Sequence, residues 1–316
     1  MAESETPKIS VVMSIYNEPA DWLRKSIDSI LNQTYGDFEF IIVNDNPQSI
    51  SNRKLLEDYQ KRDLRILIIE NSNNIGLTKS LNVGLSKASG TYIARMDADD
   101  ISLPHRFEKQ VEFMNLNPNC VVCGTWMNYF NESDLMELIR EPIESDDIKR
   151  ILLMRNCIAH PTVFIRRATL VLNSIRYNEQ VRYCQDYDLF SRLAMYGTLA
   201  NIPESLLKYR RSDQQISTSK KEEQRELGYN IGYSYFLTVL ASYGLRADSL
   251  NLPSKIRSLK IAANEKRYLL FAYYANLRLS SCLTSPLLNG DLFQLGELYL
   301  SSVKRSFYRF HKKPVM

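Results

Sequence analysis

"ISVVMSIYNEPADWLRKSIDSILNQTYGDFEFIIVND" (9–45) opens on an unbroken apolar run, passes through a segment whose apolar residues return at helical spacing, and closes on a second apolar run. A strand without polar alternation is one covered on both faces, as in a parallel sheet. Between the runs, Trp22, Leu23, Ile27, Ile30 and Leu31 give one apolar face to a helix over 20–33. Two more strand-length runs, "RILIIE" (65–70) and "TYIARMD" (91–97), extend the alternation. So does a second helical pattern, 77–88, which ends before Gly90, a residue suited to the turn after a helix. The order predicts an α/β domain with an open, Rossmann-like, mostly parallel sheet flanked by helices.

Ligands of such sheets bind beyond the carboxyl ends of the strands. Those ends carry Tyr16, Asn17 and Glu18, then Asn44, Asp45 and Asn46, then Asn71, Asn73 and Asn74, then Asp97, Asp99 and Asp100. Neither GxGxxG nor GxxxxGK[ST] follows the first run, which argues against a dinucleotide-binding Rossmann enzyme and a P-loop NTPase. "MDADD" (96–100) sets two carboxylates one residue apart directly after a buried strand. Hard oxygen ligands in that arrangement suit Mg²⁺ or Mn²⁺, which leave their other positions to phosphate oxygens and water.

Further along, "RFEKQVEFM" (106–114) reads as a helix and "CVVCGTW" (120–126) as a strand. "DYDLFSRLAMYG" (186–197) reads as a helix stopped by Gly197, and "ESLLKYRRSDQQIS" (204–217) as a strand leading into a polar loop. From about 220 the pattern is helical, so a catalytic domain over 1–218 and a helical, basic region over 219–316 are expected.

The chain has 316 residues and a formal charge of +4, too small a surplus to indicate a nucleic-acid binder. Residues 251–316 hold 11 Lys/Arg and three acids, whereas the remainder holds 29 basic and 33 acidic residues. The basic tail reads either as a face for an anionic membrane leaflet or as a solvated helical surface. "MAESETPK" (1–8) lacks the basic start and apolar run of a secretory signal. "YLLFAYYANL" (268–277) is half the roughly 20 residues of a membrane helix. The expected location is cytoplasmic, with peripheral contact at the inner membrane face through the tail. Five cysteines fit a reducing compartment. Cys120-x-x-Cys123 with Cys157-x-x-His160 has zinc spacing, but strand alternation would turn Cys120 and Cys123 to opposite faces, so buried thiols are the better reading.

"ISVVMSIYNE" (9–18), "QTYGDFEFIIVNDNP" (33–47), "NNIGLTKSLNVGLSKASGTYIARMDADD" (73–100) and "QDYDLFSRL" (185–193) together resemble glycosyltransferase family 2, over roughly residues 8–218. The resemblance implies a GT-A fold and an inverting, metal-dependent transfer of a sugar from a UDP-sugar to a glycan or lipid-linked saccharide, in cell-surface polysaccharide synthesis. It implies that Ser14, Tyr16 and Glu18 border the nucleotide and that Asp45 accepts the uracil N–H. Asp97 and Asp99 match the metal and ribose motif, with Asp99 the better candidate for direct contact with Mn²⁺ or Mg²⁺. Asp100 orients the loop or caps the next helix.

Asp186 matches the general base, with Asp188 two residues on as its competitor by spacing, and Gln185 where relatives carry Glu. His160 lines the acceptor side or is a satisfied structural histidine. Arg210 and Arg211, followed by Gln214 and Ser217, match the segment that closes over the diphosphate, or else form a surface pair. "NDNP" (44–47) departs from the family's "DDGS", which touches base recognition and loop geometry. The competing readings are a nucleotidyltransferase, which would carry a Gly-rich basic loop where this chain has "SIYNEPADW" (14–22), and a non-catalytic nucleotide-sugar binder. A HAD-type phosphatase would need its D-x-D after the first strand.

Overall fold

The computed structural model describes residues 8–131, 136–211, 220–248, 251–260 and 269. Contacts divide the chain into two compact units, Met1–Ile231 and Gly232–Met316.

The first unit is built on a nine-stranded mixed sheet. Its strands are β1 (Ile9–Ile15), β2 (Phe38–Asn44), β3 (Ile66–Glu70), β4 (Tyr92–Arg95), β5 (Ile101–Ser102), β6 (Cys120–Phe130), β7 (Glu137–Ile139), β8 (Phe164–Arg166) and β9 (Thr198–Arg210). They lie in the order β3-β2-β1-β4-β8-β6-β9-β5, with β7 on β6. The four amino-terminal apolar runs form the parallel part, β1 pairing with β2 and β4, and β2 with β3. Beyond β4 the pairing with β8, and of β8 with β6, is antiparallel. β6 and β9 run parallel. Every residue of β1 is buried, as a strand covered on both faces requires.

Helices α1 (Ala20–Leu31), α2 (Ile50–Arg62) and α3 (Leu77–Lys87) connect the parallel strands. α1 buries Leu23, Ile27 and Ile30, the face its spacing predicts. The helix α2 was not expected. Its buried residues are only Asn52, Leu55 and Leu56, too short a stripe to stand out among its charges, and its start is marked by Ser49, whose hydroxyl accepts from the Asn52 N–H. α3 packs on β1 at Gly84, where a Cβ would lie 2.6 Å from Val12 Cγ1. α4 (Arg106–Leu116), α5 (Ser145–Ile151), α6 (Arg167–Leu172) and α7 (Gln185–Leu193) follow, with a 3-10 turn at His160–Thr162.

Three expectations need correction. α7 ends at Leu193 rather than at Gly197. Gly197 instead allows close passage, since a Cβ there would lie 2.5 Å from the Asn119 carbonyl oxygen. Gly90 likewise serves close approach: a Cβ would sit 2.6 Å from the Ser10 backbone nitrogen of β1. Cys120 and Cys123 both join the same core cluster, because a register shift between Cys120 and Val122 breaks the alternation on which the opposite-face expectation rested. Cys157 and His160 turn elsewhere, to the Ile148 carbonyl and the Tyr177 hydroxyl.

In the second unit lie the carboxyl-terminal half of α8 (Lys221–Ser242) and all of α9 (Leu252–Ser258), with Phe236, Leu240, Leu252 and Ile256 buried. Among the described residues, no helix is long and apolar enough to cross a membrane. Most of the basic tail, with Gln214 and Ser217, lies outside the described residues.

Candidate active site

The carboxyl ends of β1, β2 and β4 meet on one edge of the sheet, and each carries its acid in a different environment. After β2, Asp45 is 2% exposed. Its Oδ1 accepts from Asn71 Nδ2 at 2.7 Å and from the Ile75 N–H at 2.9 Å, and its Oδ2 accepts from the Gly76 N–H at 2.8 Å. Gly76 is the N-cap of α3 with φ at +87°, a conformation that favours glycine, so Asp45 clamps the entry of that helix. A carboxylate has about four acceptor positions. Asp45 therefore keeps one lone-pair position beyond its three protein donors.

The neighbouring departure from "DDGS" has a local cause. Asn44 donates through its amide to both oxygens of Glu70, at 3.1 and 2.9 Å, where an aspartate would repel that carboxylate. Its Oδ1 accepts from the Asn46 N–H, and Asn46 Nδ2 reaches Asn17 Oδ1 at 2.8 Å. An asparagine network thus ties together the ends of β1, β2 and β3. Ser14 sits near its edge, 9% exposed, and the Tyr16 ring stands 45% exposed, its carbonyl accepting from Asn52 Nδ2.

After β4, the "DADD" turn is braced from α1. Ser26 Oγ donates to the Asp97 carbonyl at 2.8 Å, Ser29 Oγ accepts from the Ser102 N–H, and Gln33 bonds Leu103 O and the Phe107 N–H. Asp97 Oδ1 accepts from Arg95 Nη2, an arginine only 2% exposed. Asp100 is fully buried, and its Oδ1 accepts from the Arg210 backbone N–H at 2.8 Å, so it holds β9 to the loop rather than capping α4. Burial, reinforced by the charges of Asp99 and Asp97, pushes its carboxyl well above the usual range.

Glu18 accepts from the Tyr16 N–H, and its carboxyl is raised by burial and by the charges of Asp99 and Asp97. Glu18, Asp97, Asp99 and Asp100 therefore share one field. Among the described residues, no group of three His, Cys, Asp or Glu side chains is arranged to hold a metal ion. Arg210 lies against this turn, 6% exposed, with Nε on the Asp99 carbonyl and its guanidinium 4.4 Å from the ring centroids of both Trp22 and Phe130. The expected alternative of a surface arginine pair does not hold. Only Arg211 is exposed, over the Tyr129 ring.

Asp186 stands in the first turn of α7, within reach of the Asp97 charge. Burial raises its carboxyl to about 6 against the lowering effect of the Tyr187 and Asp186 N–H groups and of Asn156, while the charge of Asp97 adds to the rise. Asn156 Nδ2 donates to Asp186 Oδ2 at 2.8 Å. Asp188 is bound by Arg192 one turn on, at 2.6 Å, which separates the two acids that spacing left in competition.

His160 is part-buried, its Nε2 2.7 Å from the Tyr177 hydroxyl, its ring edge-on to Tyr177 and Phe190. Burial and the nearby Arg95 charge push it well below the usual histidine range, so it is neutral at pH 7. Asn82 of α3 holds Tyr177 by both backbone groups, at 2.9 and 3.0 Å. Tyr183, with φ at +67°, then turns the chain into α7. The bracing residues Ser26, Ser29, Gln33, Asn82, Arg95 and Asn156 were not among those expected. Arg95 had left a sign, as a charge inside an apolar run.

The profile of Glycosyl transferase family 2 matches residues 10–173. An uncharacterized glycosyltransferase of Methanocaldococcus jannaschii is 37% identical over 228 residues, 71% of this chain and 78% of the relative. The amylovoran biosynthesis glycosyltransferase AmsE of Erwinia amylovora is 33% identical over 210 residues, 66% of this chain and 78% of the relative. Residues 1–349 of S. aureus TarS, solved in complex with UDP-GlcNAc, superpose with a TM-score of 0.61 at 17% identity, covering 89% of this chain and 76% of that one. The mixed sheet and its flanking helices are those of a GT-A-like fold, and the chain belongs to glycosyltransferase family 2.

Proposed function

We propose that the protein is an inverting glycosyltransferase that moves a sugar from a UDP-sugar to a hydroxyl of a glycan or lipid-linked saccharide during polysaccharide assembly. AmsE, named for amylovoran biosynthesis, supports the acceptor class, and the UDP-GlcNAc complex of TarS supports the donor class. The observation that carries the reading is Asp186, a carboxylate raised to about 6 and within electrostatic reach of Asp97. A general base is most effective with a pKa near the working pH. One base is enough for single displacement, because a nucleoside diphosphate is already a good leaving group.

The nucleotide end is assigned to the network at β1 and β2. The remaining acceptor position of Asp45 suits the uracil N–H, and the exposed Tyr16 ring offers a face on which a base can stack. Glu18, Asp97 and Asp99 form a surplus of negative charge in which each acid raises the others' energy, and that field fits a divalent cation. Asp97 and Asp99 would hold Mg²⁺ or Mn²⁺. A site of this kind needs no three-residue cage, since phosphate oxygens and water complete the shell. When bound, the cation supplies neutralising charge for the diphosphate. Arg210, locked between Trp22 and Phe130, keeps the "DADD" turn in place. Asp186, steadied by Asn156, takes the proton of the acceptor hydroxyl as that oxygen attacks.

Asp186→Asn should reduce transfer by roughly 10²-fold or more, with UDP affinity near wild type in calorimetry; retained turnover would sink the base assignment. Because burial favours the neutral acid, the stability that protonation contributes is lost as pH rises through about 6. The Asn variant should therefore melt no lower than wild type at pH 7.5. Activity should fall as pH drops through about 6, where Asp186 takes up its proton. Asn156→Ala removes a donor to the ionised form, so the acid limb should move up by about 0.5–1 pH unit; an unmoved limb would show that Asn156 does not act through Asp186. Asp99→Ala should abolish the metal-dependent part of UDP binding, and unchanged Mn²⁺ dependence would reject its metal role.

A further inference from the structure

Arg95 closes β4 from within the protein. Tyr92 and Ala94 join the core cluster on one face of the strand, so alternation sends Arg95 to the other face, which it shares with its register partner Val12. That face is the one α3 covers, at Gly84 against Val12. A guanidinium has five donor hydrogens in a fixed plane. Nη2 meets Asp97 Oδ1, but Nε and Nη1 are buried with no acceptor among the described residues. Unsatisfied buried donors of a charged group are costly to the fold.

The surroundings indicate what could meet these donors. Tyr177, 3% exposed, lies where the charges of Arg95, Asp186 and Asp97 all reach it, and its hydroxyl is already engaged with His160. Arg95 and Tyr177 thus form a polar floor that starts at Asp97, which Arg95 bonds, and runs toward Asp186, whose charge reaches Tyr177. In a displacement with inversion, the acceptor oxygen, the anomeric carbon and the leaving oxygen lie in line. Whatever sits between the base and the leaving-group site is therefore the sugar ring, with the diphosphate beyond it. Resting on the reading of this site as a UDP-sugar site, the geometry points to Arg95 as a donor-sugar residue. Its Nε and Nη1 would donate to hydroxyl oxygens of the transferred sugar, while Nη2 keeps Asp97 in place.

The test is isothermal calorimetry in Mn²⁺ with UDP, UDP-glucose, UDP-galactose and UDP-N-acetylglucosamine, on the full chain and on Arg95→Gln and Arg95→Lys. For the sugar that wild type binds best, Arg95→Gln should lose about tenfold to a hundredfold more affinity than UDP alone loses. Arg95→Lys keeps the charge that pairs Asp97 but not the planar fork. It should melt near wild type and show the same selective loss, so it gives a reading even if the Gln variant does not fold. Equal weakening of UDP and UDP-sugar would assign the donors to the diphosphate and overturn the proposal. Unchanged affinity for both would mean that the donors find their acceptor elsewhere, and would also overturn it. A wild-type chain that binds neither UDP nor any UDP-sugar would overturn the donor reading itself, and this inference with it.

Discussion

Several carboxylates at the ends of two neighbouring strands cannot share a half-buried cleft unless each is given a compensating donor or cation. The first unit is organised around that requirement. Asp97 is paired with the buried Arg95, Asp100 is met by the Arg210 N–H, and Glu18 by the N–H of Tyr16. The raised carboxyls of Glu18 and Asp100 show that these partners offset only part of the cost of burial and of the repulsion from Asp99 and Asp97. What remains is a negative field at the sheet edge.

The same requirement explains why polar residues sit on faces that helical spacing marks as core. Ser26 and Ser29 lie on the inward side of α1 and hold the backbone of the "DADD" turn and of β5, while Gln33, just past the helix, bonds the Ser102 hydroxyl and the Leu103 carbonyl. Asn82 does the same from α3 for the segment carrying Tyr177 and leading to Asp186. The site is thus fixed to two amino-terminal helices that are themselves packed on β1 and β2. A shift in either helix would displace a group at the reacting centre rather than merely loosen the core.

The parallel half of the sheet was legible because a strand buried on both faces leaves an unbroken apolar run, as in β1, β2 and β4; β3 is also an apolar run, but at the sheet edge it leaves Leu67 exposed. α2 was not, because only Leu55 and Leu56 supply its apolar burial. The acids could be located from their positions after strands, but not their tasks. Asp45 is a helix clamp through the Ile75 and Gly76 N–H groups, contacts made by a loop some 30 residues away in sequence. Asp186 and Asp188 differ because Arg192, one helical turn on, takes Asp188, whereas the partner of Asp186 is Asn156, on a loop before the 3-10 turn. The first distinction could have been drawn from (i, i+4) spacing. The second depends on tertiary structure. The cysteine alternation failed for a related reason, since a register shift in β6 has no mark in the apolar pattern.

The central claim is that one carboxylate, Asp186, drives a single displacement at the anomeric carbon. It is tested most directly by the configuration of the first sugar released from an α-linked UDP-sugar, read by proton NMR before mutarotation. The account predicts the β-anomer, and an α-anomer as the initial product would contradict it.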